Sequence, residues 1–114
     1  MDRQHKVWGE RWLIRVDSTH AVSFLKIDSG FQCSWHSHQT KYNLFVVLKG
    51  SLTITTEEIG GVRKRVTLGV GECFTVRPGQ LHKFSANVDA EVVEEMYVQY
   101  DEGDINRVVS GGKL

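Results

Sequence analysis

Short β-favouring runs, separated by glycines at close intervals, leave few folds open to this chain. Its 114 residues include 11 glycines and a single proline, Pro78. Between these breaks, runs rich in Val, Ile, Thr, Phe and Tyr have the length of strands. They span residues 12–16, 21–27, 42–48, 51–56, 62–68, 73–76, 81–85 and 91–100. No segment keeps a 3.6-residue apolar period over three helical turns, so the pattern predicts an all-β sandwich or barrel.

Length and charge restrict the organisation and the partners. A chain of 114 residues is long enough for one core and too short for two. We therefore expect a single domain over residues 1–114, with its barrel core at about 11–100, a lead-in at 1–10 and a tail at 101–114. Lys plus Arg and Asp plus Glu each number 14. A net charge of zero argues against nucleic acid or an anionic membrane as a partner.

Hydropathy predicts a soluble chain. The apolar run at 44–48 is among the longest, and it is far shorter than a membrane span. The opening residues, MDRQHKVWGE, are polar and lack the apolar core of a secretory signal. We therefore expect a cytoplasmic protein with no membrane partner.

Three histidines are the best candidates for chemistry. His36 and His38 lie one residue apart on a predicted strand, so their side chains point to the same side. His82 lies on a later predicted strand, after a turn that Pro78 and Gly79 favour. If the chain closes into a barrel and His82 reaches the same space, the three imidazoles form most of a metal site with an open position.

The spacing around these histidines follows two motifs. The first runs Gly30, five residues, His36-Ser37-His38, four residues, Asn43, six residues and Gly50; the second runs Gly71, five residues, Arg77-Pro78-Gly79, two residues and His82. This arrangement resembles the cupin family, whose motifs are G-x5-H-x-H-x3,4-E-x6-G and G-x5-P-x-G-x2-H-x3-N. The resemblance covers roughly residues 20–100 and implies an all-β double-stranded β-helix, the jelly-roll barrel. It also implies that His36, His38 and His82 are metal ligands.

The chain departs from the family pattern at several positions. Arg77 stands at the position of the second motif's proline, with Pro78 one place later, and Ala86 stands where its last Asn is usual. The most important departure is Asn43, which occupies the place of the glutamate ligand. An amide offers a neutral carbonyl oxygen instead of an anionic one, so metal affinity should fall.

Two interpretations of the histidines stay open. In the first, they bind a divalent transition metal (Zn, Ni, Fe, Mn, Co or Cu), with Asn43 or Gln39 as a weak fourth ligand or hydrogen-bonding neighbour. In the second, they are polar residues that line the pocket of a barrel without metal.

Strand alternation extends the predicted pocket. It places Ser34 on the histidine face and Cys33 on the opposite face. Asn43 shares a face with Phe45, and His82 shares one with Phe84. Ser34, Phe45 and Phe84 are therefore expected in the pocket. Gln39 joins them as a neighbour of the metal, and Tyr97 joins them if its face of the last strand points inward.

The last long strand and Lys41 each allow two interpretations. Glu95 and Tyr97 share a face with Gln99, and if this face points inward Glu95 can act as a general base or substitute carboxylate. The alternative is an outward, solvated Glu95. We expect Lys41 to be a solvated turn residue. The alternative is a Lys41 that makes the site positive, which would disfavour a cation and favour an anionic ligand.

The two ends carry a narrower resemblance. Lys6-Val7-Trp8-Gly9, and residues 101–107, are similar to the bounding elements K/R-P-W-G and D-D-I-x-R of mannose-6-phosphate isomerase-type cupin domains. Val7 replaces the usual proline, and Gly103 replaces the first Asp. This resemblance implies a sugar or sugar-phosphate ligand and isomerase or epimerase chemistry.

Other functions and assemblies fit the same residues. A cupin that binds a small molecule without turnover is favoured by Asn43, and an iron-dependent dioxygenase is a further alternative. Whether the chain is an enzyme is left open. We also expect a homodimer that buries the apolar residues Leu44, Val46 and Leu48 of one outer sheet face.

Overall fold

The computed structural model of the chain describes residues 2–98 and 105–114. Within these ranges the regular structure consists of strands alone. They are β1 (Asp2–Lys6), β2 (Gly9–Val16), β3 (His20–Ile27), β4 (Phe31–Gln32), β5 (Trp35–Ser37), β6 (Tyr42–Lys49), β7 (Leu52–Glu57), β8 (Arg63–Leu68), β9 (Cys73–Val76), β10 (His82–Ala86), β11 (Ala90–Tyr97), β12 (Asn106–Val109) and β13 (Gly112–Lys113). The described part of the chain contains no helix long and apolar enough to span a membrane. The all-β prediction is confirmed.

Two antiparallel sheets face each other. The first has the order β1-β2-β3-β11-β6-β9. The second follows β12-β5-β10-β4-β13, with β7 paired to β10 and β8 paired to β7. Strands distant in sequence become neighbours in both sheets, such as β11 between β3 and β6. This topology and the antiparallel pairing agree with the jelly-roll barrel.

Apolar side chains of both sheets form one core. On β3, β6 and β11 the residues alternate between buried and more exposed positions, as expected for a sheet with one face toward a core. Phe45 of β6 and Phe84 of β10 meet across the interior with ring centroids 6.0 Å apart, and Trp8 packs edge-on against Phe84 at 5.0 Å. These aromatic contacts join the two sheets directly beside the histidines.

Glycine is required at the turn between β6 and β7. Gly50 has φ +77°, a left-handed conformation that L side chains rarely adopt. A Cβ at this position would lie 2.3 Å from the backbone oxygen of Asp89. The turn therefore packs against the start of β11, the strand that carries Glu94 and Met96.

The predicted strands appear near their expected positions, but the ends of the chain contain more sheet than expected. β1 is a polar strand that pairs with β2 at the edge of the first sheet. Its side chains are mostly exposed, so the strand has no apolar pattern that could have predicted it. β12 and β13 likewise pair with β5 and β4, which draws residues 105–114 onto the second sheet. The segment that carries Gln99, Asp101 and Gly103 lies outside the described residues.

Candidate metal centre

The three histidines converge at one end of the barrel. β5 and β10 are antiparallel neighbours, and His36 stands directly opposite His82 in their register. His38 follows β5, where its carbonyl accepts a 2.6 Å hydrogen bond from the backbone N–H of Gly79. The ring centroids lie 4.9 Å apart for His36 and His38, 4.4 Å for His36 and His82, and 5.3 Å for His38 and His82.

The distances suit a shared metal ion. One potential ligand atom of each histidine lies within 4.8 Å of the others. Nitrogens bound to one tetrahedral zinc lie roughly 3.3 Å apart, given Zn–N bonds of about 2.0 Å. Each pair of nitrogens would therefore have to approach by at most about 1.5 Å to coordinate one ion.

Hydrogen bonds to backbone carbonyls set the protonation of two rings. His82 Nδ1 lies 2.9 Å from the carbonyl oxygen of Gln80, and His36 Nδ1 lies 2.7 Å from that of Ser34. Because a carbonyl oxygen can only accept, Nδ1 must carry the hydrogen in both rings. Each Nε2 then presents a lone pair, which is the form that binds a metal.

Two buried side-chain atoms, one on His82 and one on Asn43, lack a partner. Within the described residues, His82 Nε2 and Asn43 Oδ1 are the buried side-chain polar atoms without a hydrogen bond. His82 and Asn43 are each 1% exposed. Leaving a buried polar atom unsatisfied is costly, and such atoms call for an explanation in terms of function or a bound group. Both atoms are acceptors, so a cation fits them and the residues present suit a metal.

Burial keeps two of the histidines neutral. Desolvation lowers the pKa of His36 to about 3, with further lowering from His82, His38 and Arg107. Desolvation likewise lowers the pKa of His82 to about 4, helped by the positive charge of Lys41. Only the neutral imidazole can ligate a metal. These rings are therefore ready to bind a metal without first losing a proton.

Asn43 lies beside this cluster and donates a hydrogen bond to a carboxylate. Its position on β6 is flanked by Met96 on β11 and Val76 on β9. Asn43 Nδ2 donates a 2.8 Å hydrogen bond to Oε2 of Glu94. A negative charge thus lies one hydrogen bond away from the position at which the cupin pattern has its glutamate.

A cavity of about 240 Å³ opens beside these residues. This is below the roughly 300–1,000 Å³ of typical ligand sites, so the cavity suits a small molecule. Its described lining residues are Lys6, Val7, Trp8, Arg11, Leu25, Cys33, Ser34, His36, His38, Lys41, Asn43, Phe45, Phe84, Glu94, Met96, Ile105, Arg107 and Gly111. Among the predicted pocket residues, the structure brings Ser34, Phe45 and Phe84 to this cavity.

Three predicted positions lie elsewhere. Glu95 points away from the cavity, and its Oε1 lies 3.8 Å from Nε2 of His20. Tyr97 stacks on Tyr42 at 5.1 Å, also outside the lining. Gln39 is exposed. The inward orientation considered for Glu95, and with it the place of Tyr97 in the pocket, is not observed, because the register pairs Glu94, not Glu95, with inward-facing Phe45.

Two further residues behave differently from expectation. Cys33 lines the cavity together with Ser34, because residues 33–34 lie between β4 and β5 and strand alternation does not apply there. Burial raises the pKa of the Cys33 thiol to about 12, so it is an inert neutral group. Lys41 is 4% exposed and lines the cavity instead of lying in solvent.

Glu94 is a site residue that was not predicted from the sequence, although a signal was available. On β11 the even-numbered face carries Ala90, Val92 and Met96 beside Glu94, whereas half of the odd-numbered face is charged: Glu91, Val93, Glu95 and Tyr97. The more apolar face is the one that turns to the core. Glu94 shares that face and therefore reaches the pocket.

Comparison with known proteins agrees with this architecture. The cupin domain family model matches residues 23–98. This covers well over half of the chain, and the chain belongs to the cupin family. Among curated proteins, none matches the chain.

Solved structures give the same fold at low sequence identity. Oxalate decarboxylase from Bacillus subtilis is similar with a TM-score of 0.82 at 15% identity, covering 94% of this chain and 30% of that one. The capsular polysaccharide assembling protein CapF from Staphylococcus aureus is similar with a TM-score of 0.81 at 16% identity, covering 94% of this chain and 34% of that one. The chain thus spans about a third of the length of these proteins, and the likeness concerns the fold.

Proposed function

We propose that His36, His38 and His82 bind one divalent transition metal ion, with Asn43 Oδ1 as the fourth protein ligand. The observation that carries this proposal is the buried, unpartnered pair of acceptors, His82 Nε2 and Asn43 Oδ1. A cation would satisfy both atoms, whereas an empty site leaves the cost of their burial uncompensated. Three imidazoles and a neutral oxygen suit Zn, Ni, Fe, Co or Cu better than Mn, which prefers anionic oxygen.

We propose further that the adjoining cavity takes a sugar or sugar phosphate. Basic side chains in its lining support an anionic group on the ligand: Lys6, Arg11, Lys41 and Arg107. Arg11 and Lys41 are 7% and 4% exposed, so their charges lie at the buried part of the cavity. When bound, the metal would supply Lewis acidity toward a carbonyl or hydroxyl oxygen, as isomerase or epimerase chemistry requires.

A binding module without turnover is the second candidate. Proton transfer between carbons needs a base that is free to accept a proton. Glu94 is the carboxylate among the described lining residues, and it already accepts a hydrogen bond from Asn43. This engagement favours binding over turnover, and oxygen chemistry at an iron centre is a further alternative to isomerisation.

Metal titration tests the proposed site. Protein freed of metal with a chelator is titrated with Zn²⁺, Ni²⁺, Co²⁺ and Cu²⁺, and with Fe²⁺ without oxygen. We expect one equivalent per chain and a metal-induced rise in Tm. His82→Gln should abolish both, and His20→Gln, at a histidine outside the cluster, should retain both. Substoichiometric metal with no rise in Tm in the parent protein would refute the proposal.

Ligand binding and turnover are tested separately. Calorimetry with the metal-loaded protein compares a hexose with the corresponding hexose phosphate, and we expect the phosphate to bind more tightly. Incubation in D₂O, followed by NMR, then detects exchange of the proton beside the carbonyl. Exchange indicates isomerase or epimerase chemistry, whereas binding without exchange supports the module. Equal binding of the neutral and phosphorylated sugars would contradict the anionic ligand.

We propose that two copies associate through the outer face of the first sheet. Leu44 and Val46 lie on this face and are only half-buried within one chain, and Leu48 at its end is 49% exposed. Burying such residues between two copies removes apolar surface from water. Scattering and size-exclusion measurements should give the mass of a dimer, and Val46→Lys should give a monomer. A parent protein of monomeric mass at high concentration would contradict this assembly.

A further inference from the structure

The hydrogen bond between Asn43 and Glu94 determines which way the Asn43 amide faces. Glu94 Oε2 lies 2.8 Å from Asn43 Nδ2. An ionised carboxylate only accepts hydrogen bonds, so the NH₂ group of the amide must face it. The other half of the amide, Oδ1, is then directed away from Glu94, and it is buried without a partner.

From this geometry we infer that Glu94 is a positioning residue of the metal centre, which turns Asn43 so that Oδ1 is presented as a ligand. The inference rests on the proposed metal site. In this role Glu94 compensates for the asparagine that occupies position 43 in place of the glutamate of the cupin pattern. The Glu94 carboxylate acts on the ion through the amide, which it orients and polarises, one hydrogen bond away from the ligand atom.

The physical effect has two parts. Orientation is the first, because an Asn43 amide turned by half a rotation would present its NH₂ group, which cannot bind a cation. Polarisation is the second, because a hydrogen bond to a charged acceptor is stronger than a neutral one and increases the electron density on Oδ1. Partners that hold metal ligands in this way typically contribute 10–100-fold to metal affinity.

Glu94 could instead act only as a counter-charge to the basic side chains of the cavity, such as Arg107. The two roles differ in their dependence on Asn43. A positioning residue acts through the amide, so its effect must vanish when the amide is removed. A counter-charge would act on the metal at a distance, with or without Asn43.

The test measures the Zn²⁺ affinity of the full chain by competition with a chromophoric chelator. Glu94→Leu removes both orientation and charge, and we expect 10–100-fold weaker binding. Glu94→Gln can still accept from Asn43 through its own carbonyl, so its loss should be smaller. The matched control is Glu95→Gln, one position along the same strand and outside the cavity, which should bind within about twofold of the parent protein.

A double-mutant cycle separates the two roles. In an Asn43→Ala background, Glu94→Leu should weaken Zn²⁺ binding by less than about twofold. An equal loss with and without Asn43 would overturn the inference, as would parental affinity in Glu94→Leu. If Glu94→Leu does not fold, judged by circular dichroism, Glu94→Ala replaces it, and parental affinity in Glu94→Ala overturns the inference. A parent protein that binds no Zn²⁺ refutes the metal site itself, so the two failures are distinguishable.

Discussion

Acidification should destabilise the metal-free protein through its buried histidines. The pKa of His36 is lowered to about 3 and that of His82 to about 4, from an ordinary value of 6.5. Between pH 6.5 and pH 4, the unfolded chain therefore binds protons that the native state does not bind. Stability is fully present above pH 6.5 and is lost as the pH falls through this window.

The size of the effect follows from the lowered pKa values. Each pH unit below 6.5 costs about 1.4 kcal/mol for each histidine that stays neutral in the native state. At pH 5 this amounts to about 2 kcal/mol for each of His36 and His82, or about 4 kcal/mol together. A domain of this size typically has a free energy of unfolding of about 5–15 kcal/mol, so the loss is a large part of the total.

Denaturant unfolding at a series of pH values, with a chelator present, measures this loss. The comparison is with a His36→Asn/His82→Gln variant, whose side chains do not titrate. The difference in slope between parent and variant isolates the two histidines from all other groups. We expect the free energy of unfolding of the parent to fall more steeply from pH 7 to pH 5, by about 4 kcal/mol.

Equal slopes in the parent and the variant would refute the reasoning, because the two histidines would then titrate alike in the folded and unfolded chains. A variant that loses more stability on acidification than the parent would refute it as well.

Three further substitutions test other parts of the structure. Asn43→Glu should tighten Zn²⁺ binding about tenfold or more, because an anionic ligand replaces a neutral one. It should also lower the Tm of the metal-free protein, because it places a second carboxylate beside Glu94. Unchanged Zn²⁺ affinity in the competition assay would contradict the position of residue 43 as a ligand. Phe45→Ala should lower the free energy of unfolding by about 3–5 kcal/mol in denaturant, because it opens a cavity between the sheets; a loss below about 1 kcal/mol would contradict its place in the core. Gly50→Ala should lower the free energy of unfolding by more than the roughly 1–2 kcal/mol expected of Gly60→Ala. Both glycines have positive φ, but of the two only Gly50 would place a Cβ against backbone atoms. Equal losses would contradict the close approach.

Period-two patterns predicted the strands well because the faces of this sheet differ in polarity. β9 has the predicted bounds, and β3 and β10 are displaced by one residue at most at each end. The same patterns could not place β1, because an edge strand with both faces in solvent has no apolar alternation.

Alternation also defines which residues share a face without defining which face is inside. Two orientations were open to Glu95 for this reason, and the observed register places Glu94 at the pocket instead. The pairing of β11 with β6 settles the question, and this pairing joins residues about 50 positions apart. Local sequence patterns do not predict the register of two strands that are so far apart in the chain.

The spacing of both motifs was sufficient to predict the family and the convergence of the histidines. The environment of the site was less predictable. Lys41 follows the turn after His38 and looked solvated, yet it is buried against the cavity. Burial of a lysine depends on which strands close around it, which only the assembled barrel determines.

Anomalous diffraction at the metal edge tests the central claim most directly. Crystals grown with Zn²⁺ should give one strong peak about 2.0–2.1 Å from a nitrogen of each of His36, His38 and His82. Asn43 Oδ1 should lie within about 2.2 Å of the same peak, with its amide NH₂ toward Glu94. A fully occupied peak elsewhere, or none between these histidines, would contradict the account.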